Sequence, residues 1–456
     1  MAVLTELRWS QRKSNGRLDA EYYHPRYAKL EGGLAEYPCK TLDELGSVID
    51  GIHASPDVVE NDGVRYLSSQ CVRDNGFLLS DTLLISRHQD ALNKRTQLRE
   101  KDIVLATMGE IGSTAVVTSD VLPANIDRSL GLIRLSLDVE IDPFFISTYL
   151  NTGVGRALAL REATGNVQLH LFIEKIKRIR VPILPCAASV SSLAKSAYSK
   201  RREAEKRSAE AEGLFLSALG LEKLTSSPRL HYEQHFSELT TAHRFDAEYF
   251  SPRYQNVLNL LRESGITIGD VARLVEHRFN PILQKKGSTF FYIEIGNLAG
   301  NGEAQAQELD ITNAPSRAQW ILRRGDVITS TVRPIRRLSA LISPAQDGYV
   351  CSSGFAALRP REGKDGIEPH VLLTYLRLPA ICELLDLYAT ASMYPAIPTE
   401  SLLHIPIVLP KQSIRDQIVA KVEASFTARW EADQLLSKAK NLVETAILKS
   451  DHLKDK

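Results

Sequence analysis

The sequence predicts a mixed α/β (α+β) protein made of two tandem copies of one domain, each followed by a long helix. Three observations carry this: an internal repeat, short β-branched runs bounded by turn residues, and two Pro-free stretches with helical periodicity. Residues 17–27 read RLDAEYYHPRY and residues 244–254 read RFDAEYFSPRY, eight identities in eleven positions at an offset of 244 − 17 = 227. The echo continues in order. Tyr66-Leu67 matches Tyr292-Ile293, REKDIVLAT (99–107) matches RRGDVITST (323–331), and DPFFISTYL (142–150) matches EPHVLLTYL (368–376). Ala163-Thr164 matches Ala389-Thr390, and the Pro-rich apolar strand VPILP (181–185) matches IPIVLP (405–410).

Each half has the same grammar. β-Branched runs at 64–67, 103–107, 114–117 and 131–135 predict strands, with counterparts at 290–295, 327–330, 339–342 and 355–358. Asp142-Pro143 predicts a helix start, since Asp caps well and Pro suits the first turn; Glu368-Pro369 repeats the Pro. Residues 187–219 hold no Pro and one Gly, and Val190, Ala194, Ala197, Ala204, Ala211, Phe215 and Ala218 follow helical steps. Residues 411–449 hold neither Pro nor Gly; Ile414, Ile418, Val422, Phe426, Ala432, Leu436, Ala439, Val443 and Ala446 form a near-heptad stripe. At ~1.5 Å per residue each helix spans roughly 50–60 Å. A narrow stripe needs a partner, and pairing the two helices with each other is the economical solution. The expected boundaries are domain 1 at 1–185, a helix at 186–220, a connector at 221–243, domain 2 at 244–410 and a helix at 411–450.

The 456 residues are 43% hydrophobic and 24% charged, ordinary values for a globular protein. No apolar run approaches the ~20 residues of a membrane span, and residues 1–8 do not read as a signal peptide, so a cytoplasmic location is expected. The cysteines (Cys39, Cys71, Cys186, Cys351, Cys382) are odd in number and far apart, which argues against a disulfide scaffold or zinc site. Net charge is +1, which excludes a strongly basic coat but not local basic faces.

Catalytic signatures fail on inspection. There is no GxxxxGK[ST] loop and no GxSxG elbow. Asp142-Pro143-Phe144-Phe145 approaches the DPPF motif of adenine methyltransferases but lacks its second Pro and an upstream Gly-rich turn; a helix cap is the better reading. Asp347 with Glu362-Gly363-Lys364 approaches a metal-dependent nuclease pattern, but reads as a turn with no equivalent in the first half. His231, Glu233 and His235 lack a third His/Cys-type ligand and sit in the connector. No catalytic, cofactor or metal residue is expected.

What remains is a binding architecture. Arg87-His88 and Lys94-Arg95 precede the strand at Asp102. After that strand runs a Gly-rich turn from Thr107 to Thr114 containing Gly109 and Gly112; the second half reads Thr331-Val332-Arg333-Pro334-Ile335-Arg336-Arg337 there. Gln70, Arg73 and Asn75 share one segment, with Asn297 and Asn301 in its counterpart. A third variable loop holds Asn166 and Gln168 in one half and Ser392 and Tyr394 in the other. Arginine bonds guanine or phosphate, and Gln or Asn reads adenine, so these residues are candidate DNA contacts.

The order of LDAEYY-P-RY, KDIVLAT–GEIG, the Thr-Gly-x-x-Gln loop, the Pro-rich strand end and the long helix, met twice, resembles the DNA specificity (S) subunits of type I restriction–modification systems. The resemblance spans nearly the whole chain. It implies two target-recognition domains related by internal pseudo-twofold symmetry, each reading one half of a split double-stranded DNA site. It implies an antiparallel coiled coil of the two helices that acts as a ruler. The implied partners are two adenine N6-methyltransferase subunits, which carry S-adenosylmethionine, and a motor–nuclease subunit, which carries ATP and Mg. Arg336-Arg337 replace the Gly-x-x-Gly-like turn and Tyr394 replaces Gln168. Two other readings stay open on the residues alone: a duplicated stand-alone nuclease or methyltransferase, and a helical scaffold without sequence readout.

Overall fold

A computed structural model describes residues 20–79, 82–165, 169–221, 231–363, 366–390 and 394–449. The chain forms two compact units, one from Met1–Arg202 with Arg429–Lys456, the other from Glu203–Ala428. In the first, Gly46–Asp50, Leu130–Leu135, Ile103–Ala106 and Thr114–Val116 make an antiparallel four-stranded sheet in that order. In the second, Ala272–Leu274, Phe355–Pro360, Val327–Ser330 and Ser339–Leu341 repeat the order and every strand direction. Each unit adds a smaller sheet around one parallel pair, Val64–Leu67 with Ala124–Ile126 and Thr289–Ile293 with Val350–Ser352. The second unit's smaller sheet has a further strand, Ala318–Ile321. The fold is thus the mixed α/β duplication that the sequence announces.

These strands are apolar on both faces because the four-stranded sheet is covered on both. Ile103, Leu105 and Ile133 enter the core beneath the helices, while Val104, Ala106 and Leu132 enter the core shared with the smaller sheet. In the second unit Val327 and Leu358 take the first side, Ile328 and Ala357 the other. Side chains alternate with period two, so one sheet serves two cores.

The helix at Pro143–Leu150 begins where Asp142 and Pro143 predict, with Asp142 Oδ1 accepting the Phe144 N–H at 2.9 Å. Its last turn carries Tyr149, fully buried, whose hydroxyl donates to the Arg180 carbonyl at 2.8 Å. Tyr375 in Pro369–Arg377 does the same to the Pro406 carbonyl. That second extended segment, expected as a strand at 405–410, makes only two ladder bonds, Ile268 N–H to Ile405 O and Ile407 N–H to Ile266 O. Pro406 and Pro410 have no N–H to extend it. Segment 181–185 fares slightly better: Arg180–Pro182 pairs with Cys39–Thr41.

The long helices run Ala187–Leu219 and Gln412–Lys449. Each unit contains a part of both, and within each unit the two run antiparallel. In the first, Ala197 packs on Ala432 and Leu436, and Lys200 pairs with Glu431 at 2.7 Å. In the second, Ser425 Oγ donates to the Ala204 carbonyl at 2.8 Å and Lys421 pairs with Glu210. Alanine along the first stripe allows this approach. One stripe position differs from expectation: Ala218 is exposed, and its neighbour Leu219 is buried in its place.

One ion pair is built twice. Asp102 accepts the Arg99 N–H at 2.7 Å and takes Arg134 in a two-pronged grip at 2.8 and 2.6 Å. Asp326 accepts the Arg323 N–H at 2.8 Å and takes Arg359 at 2.7 and 2.8 Å. Both carboxylates are almost fully enclosed. Removing one partner strands a buried charge. Asp326→Ala is expected to cost ~3 kcal/mol, and Asp326→Leu with Arg359→Met to recover most of it. Thermal unfolding of the three proteins checks this; equal loss in single and double variants would refute it.

Candidate nucleic-acid interface

Three loops meet at the end of each four-stranded sheet where its third strand in sheet order, Ile103–Ala106 or Val327–Ser330, runs out. In the first unit the strand Ile103–Ala106 leads into a turn closed by the Ala106 N–H to Ser113 O and the Gly112 N–H to Ala106 O, both 2.8 Å. The hairpin at 164–170 is pinned by mutual Thr164–His170 bonds and fastened by the Leu171 N–H to Thr107 O at 3.0 Å. The loop after Val64–Leu67 is fastened by the Ser69 N–H to Ser129 Oγ at 2.8 Å, and Ser129 O takes the Thr107 N–H at 2.9 Å. The second unit repeats these bonds: Ser330 N–H to Leu338 O, mutual Thr390–Ala396, Ile397 N–H to Thr331 O, and Thr331 N–H to Gly354 O. Ile295 packs against Gly354 and brings in the 295–297 loop.

The frame is the same and the chemistry differs. Gly109 and Gly112 sit at φ 68° and 81°, in the left-handed region where glycine is unstrained. The second unit places Arg333 and Arg337 there, at φ 49° and 58°. A non-glycine residue in that region costs roughly 1 kcal/mol. Arg333 and Arg336 are exposed, and the Arg333 guanidinium lies 5.5 Å from the ring centre of Tyr394, itself 68% exposed. In the first unit the exposed ring is Phe172, tilted on His170 at 4.4 Å. Burial lowers the His170 pKa, which favours the neutral ring.

Gln70, Thr107, Gly109 and Gly112 fall in the first cluster; Asn297, Thr331, Arg333, Arg336, Arg337 and Tyr394 fall in the second. Asn166, Gln168 and Ser392 lie outside the described residues. Within the clusters not every side chain is available. Thr107 and Thr331 are buried, and Thr331 Oγ1 donates to Gly354 O. Asn297 Oδ1 accepts the Glu294 N–H. Arg337, expected as a DNA contact, is engaged within the fold: its Nε donates to Arg377 O at 2.7 Å and its Nη2 grips Glu212 at 2.7 and 2.8 Å.

Other candidates sit elsewhere. Thr114 is fully enclosed, bonded to Ser147 and Asn151, and packs the fold. Arg73, Asn75 and Asn301 belong to tight turns at the long helices. Asn75 accepts from Ser147, its hairpin is tied by Arg201 to Asp74 O and by Lys440 to the Asp74 carboxylate, and Asn301 caps the Glu303 N–H beside Gly302, which meets Phe426. These are braces between sheet and helix. Arg87 pairs with Asp62 at 2.6 Å and Arg95 with Asp50 at 3.1 Å; with Lys94 they form an exposed basic strip around Arg87–Leu92, outside the loop cluster. The metal-site candidate His231/Glu233/His235 brings no ligand group together, nor does any other set of described residues.

Sequence reading missed Arg156. From the helix Gly153–Glu162 it donates to the Glu110 and Ile111 carbonyls at 3.1 and 2.9 Å and to Ser113 Oγ at 2.5 Å, holding the Gly-rich turn from within. Its second-unit counterpart is inverted: the arginine is in the turn, as Arg337, and reaches out. Nothing in spacing marks either role.

A methyl group tests the turn. Gly109→Ala meets only Ser69 Oγ at 3.8 Å and is expected to cost ~1 kcal/mol from φ alone. Gly112→Ala also brings its Cβ to 3.1 Å from that of Ala159, and is expected to cost more. Chemical denaturation of both variants checks the order.

No protein-family model matches the chain, and no curated protein matches it. Among solved structures, it is similar to the S subunit of a type I restriction-modification system from M. genitalium, at 12% identity over 91% of this chain and 95% of that one, TM-score 0.39. It is similar to the HsdS subunit from Thermoanaerobacter tengcongensis, at 17% identity over 90% and 96%, TM-score 0.30. A chain from a study of assembly and conformational transition of a type I R-M system is similar at 16% identity over 90% and 97%, TM-score 0.29. Each of these likenesses extends over about nine-tenths of this chain.

Proposed function

We propose that this chain is the non-catalytic DNA specificity subunit of a type I-like restriction–modification complex, reading a bipartite duplex target. The observation that carries the reading is the duplicated loop cluster: one frame, built twice, with the exposed chemistry exchanged. Two similar modules with different side chains at the same place are what two different half-sites require. The first presents Gln70, the Gly109-Glu110 turn and the Phe172/His170 pair; the second presents Arg333, Arg336 and Tyr394. Arg333 on strained backbone fits the same purpose, since strain concentrates where a side chain must be aimed.

In this reading target-recognition domain 1 is 1–185 and domain 2 is 244–410. The paired helices at 186–220 and 411–450 dock two adenine N6-methyltransferase subunits in the cytoplasm. S-adenosylmethionine chemistry, and any cleavage driven by ATP and Mg, belongs to those partners and to a motor–nuclease subunit. No residue of this chain is assigned to a catalytic step. Its own contribution is to hold base-reading and phosphate-holding side chains on a rigid frame.

Arg336→Ala in the assembled methyltransferase is expected to weaken cognate DNA binding by ~1–3 kcal/mol and relax one base position, with thermal stability unchanged. Arg337→Ala is expected to lower the unfolding midpoint, because it breaks the Glu212 pair. Maps of methylated adenines and melting curves separate the two. Normal cognate binding by Arg336→Ala combined with Arg333→Ala would remove the second cluster from the DNA surface.

A further inference from the structure

The sheet of the second unit has another end. Val327–Ser330 leads to the Arg333 turn, but it starts at Asp326, beside a cleft of about 810 Å3. Four residues of strand, ~13 Å, separate the two. Six arginines line the cleft: Arg273, Arg323, Arg324, Arg359, Arg361 and Arg415. Two are neutralised, Arg359 by Asp326 and Arg415 by Glu368 at 3.6 Å. The other four are exposed and form no ion pair with the described residues. The first turns of Pro369–Arg377 and Gln412–Lys449 also open on the cleft, adding partial positive charge. Arg415 Nε is buried there without a hydrogen-bond partner.

Four like charges in one concavity repel one another, and of their side chains the fold engages only Arg361, whose Nη2 donates to Gly269 O at 3.1 Å. Arginine, rather than lysine, at every cationic position among the described lining residues favours two-pronged recognition of carboxylate or phosphate. Among the described residues the lining has no aromatic ring on which a base could stack. Because the four guanidinium groups are solvated, each ion pair contributes little, so a single small anion binds weakly. Carboxylates linked along one chain add their contributions. Asp347 and Glu362 interrupt the positive lining, which a continuous phosphate backbone would have to pass and spaced carboxylates can avoid.

We infer that this cleft is the docking site for an acidic segment of a protein partner. The inference rests on the reading of the chain as one part of an assembly, and it assigns that docking to the sheet end remote from the DNA loops.

The test uses the full chain, titrated with a fluorescent Glu- and Asp-rich peptide at low and physiological salt. Pyrophosphate and random-sequence duplex DNA serve as separate arms. The expected result is salt-dependent peptide binding that falls by about tenfold or more in Arg323→Glu/Arg324→Glu and stays level in Arg336→Ala. The reversed side chains are exposed, so the melting curve of the double variant is expected to match the wild type. Absence of peptide binding, binding indifferent to the reversal, or preference for pyrophosphate or duplex over peptide would each overturn the inference. Failure of the DNA reading appears instead as unaltered cognate binding in Arg336→Ala, which leaves the peptide result standing.

Discussion

The aspartate–arginine clamp at the root of each central strand is the constraint on which the two units depend. Asp102 and Asp326 close the turn that enters the strand and, with the same carboxylate, grip an arginine on the neighbouring strand. That fixes which residue faces which: Ile103 sits opposite Ile133, one position before Arg134, and Val327 opposite Leu358, one before Arg359. A slip of one residue would exchange the two cores, since side chains alternate between them. It would also leave a buried charge unpaired. The register is therefore held at the strand's first residue, and its far end is released from that duty.

This explains why the loops at the far end could diverge. Much of their fastening is backbone to backbone, through Thr107, Ser129 and the Thr164–His170 bonds in one unit and Thr331, Gly354 and the Thr390–Ala396 bonds in the other, with Ser129 Oγ, Arg156 and Arg337 adding side-chain bonds. Backbone bonds do not ask for particular side chains. The glycines at φ 68° and 81° in one turn can become arginines at 49° and 58° in the other, provided something holds the strained residue. Arg337 is held by Glu212 and the Arg377 carbonyl. The first unit's glycines carry no such strain, and Arg156 braces that turn through its carbonyls and Ser113.

The long helices belong to both units, each of which packs a segment of one against a segment of the other. Their stripe mixes alanine, dominant in the first helix, with large residues such as Phe215, Ile418, Leu436 and Val443, and the turns bearing Asn75 and Asn301 lean on them. The DAEYY and DAEYF signatures, the strongest echo in the sequence, supply buried rings such as Tyr22, Tyr27, Tyr249 and Phe250. The most repeated residues thus serve packing, and the least repeated ones face solvent.

The sequence by itself determined the duplication, most strand positions and both long helices. Period-two and near-heptad patterns, Pro and Asp caps and the repeat offset are local signals, and the strands at 64–67 and 327–330 lie where those signals put them. It also placed Thr107, Gly109, Gly112 and Gln70 in one loop cluster, because a loop after a strand stays at that strand's end. Tertiary structure alone decided which of the polar residues are available. Thr114 and Arg337 read as loop residues, yet one is enclosed by the helix at Pro143–Leu150 and the other is captured by Glu212, 125 positions away. Arg156 was invisible for the same reason: its partners are carbonyls, which every residue has, and only folding chooses among them. The arginine cleft draws on residues spread from 273 to 415, so no window of sequence could show it. Local pattern encodes elements; which side chains are satisfied inside, and which are left for a ligand, depends on contacts that the chain makes only once it is folded.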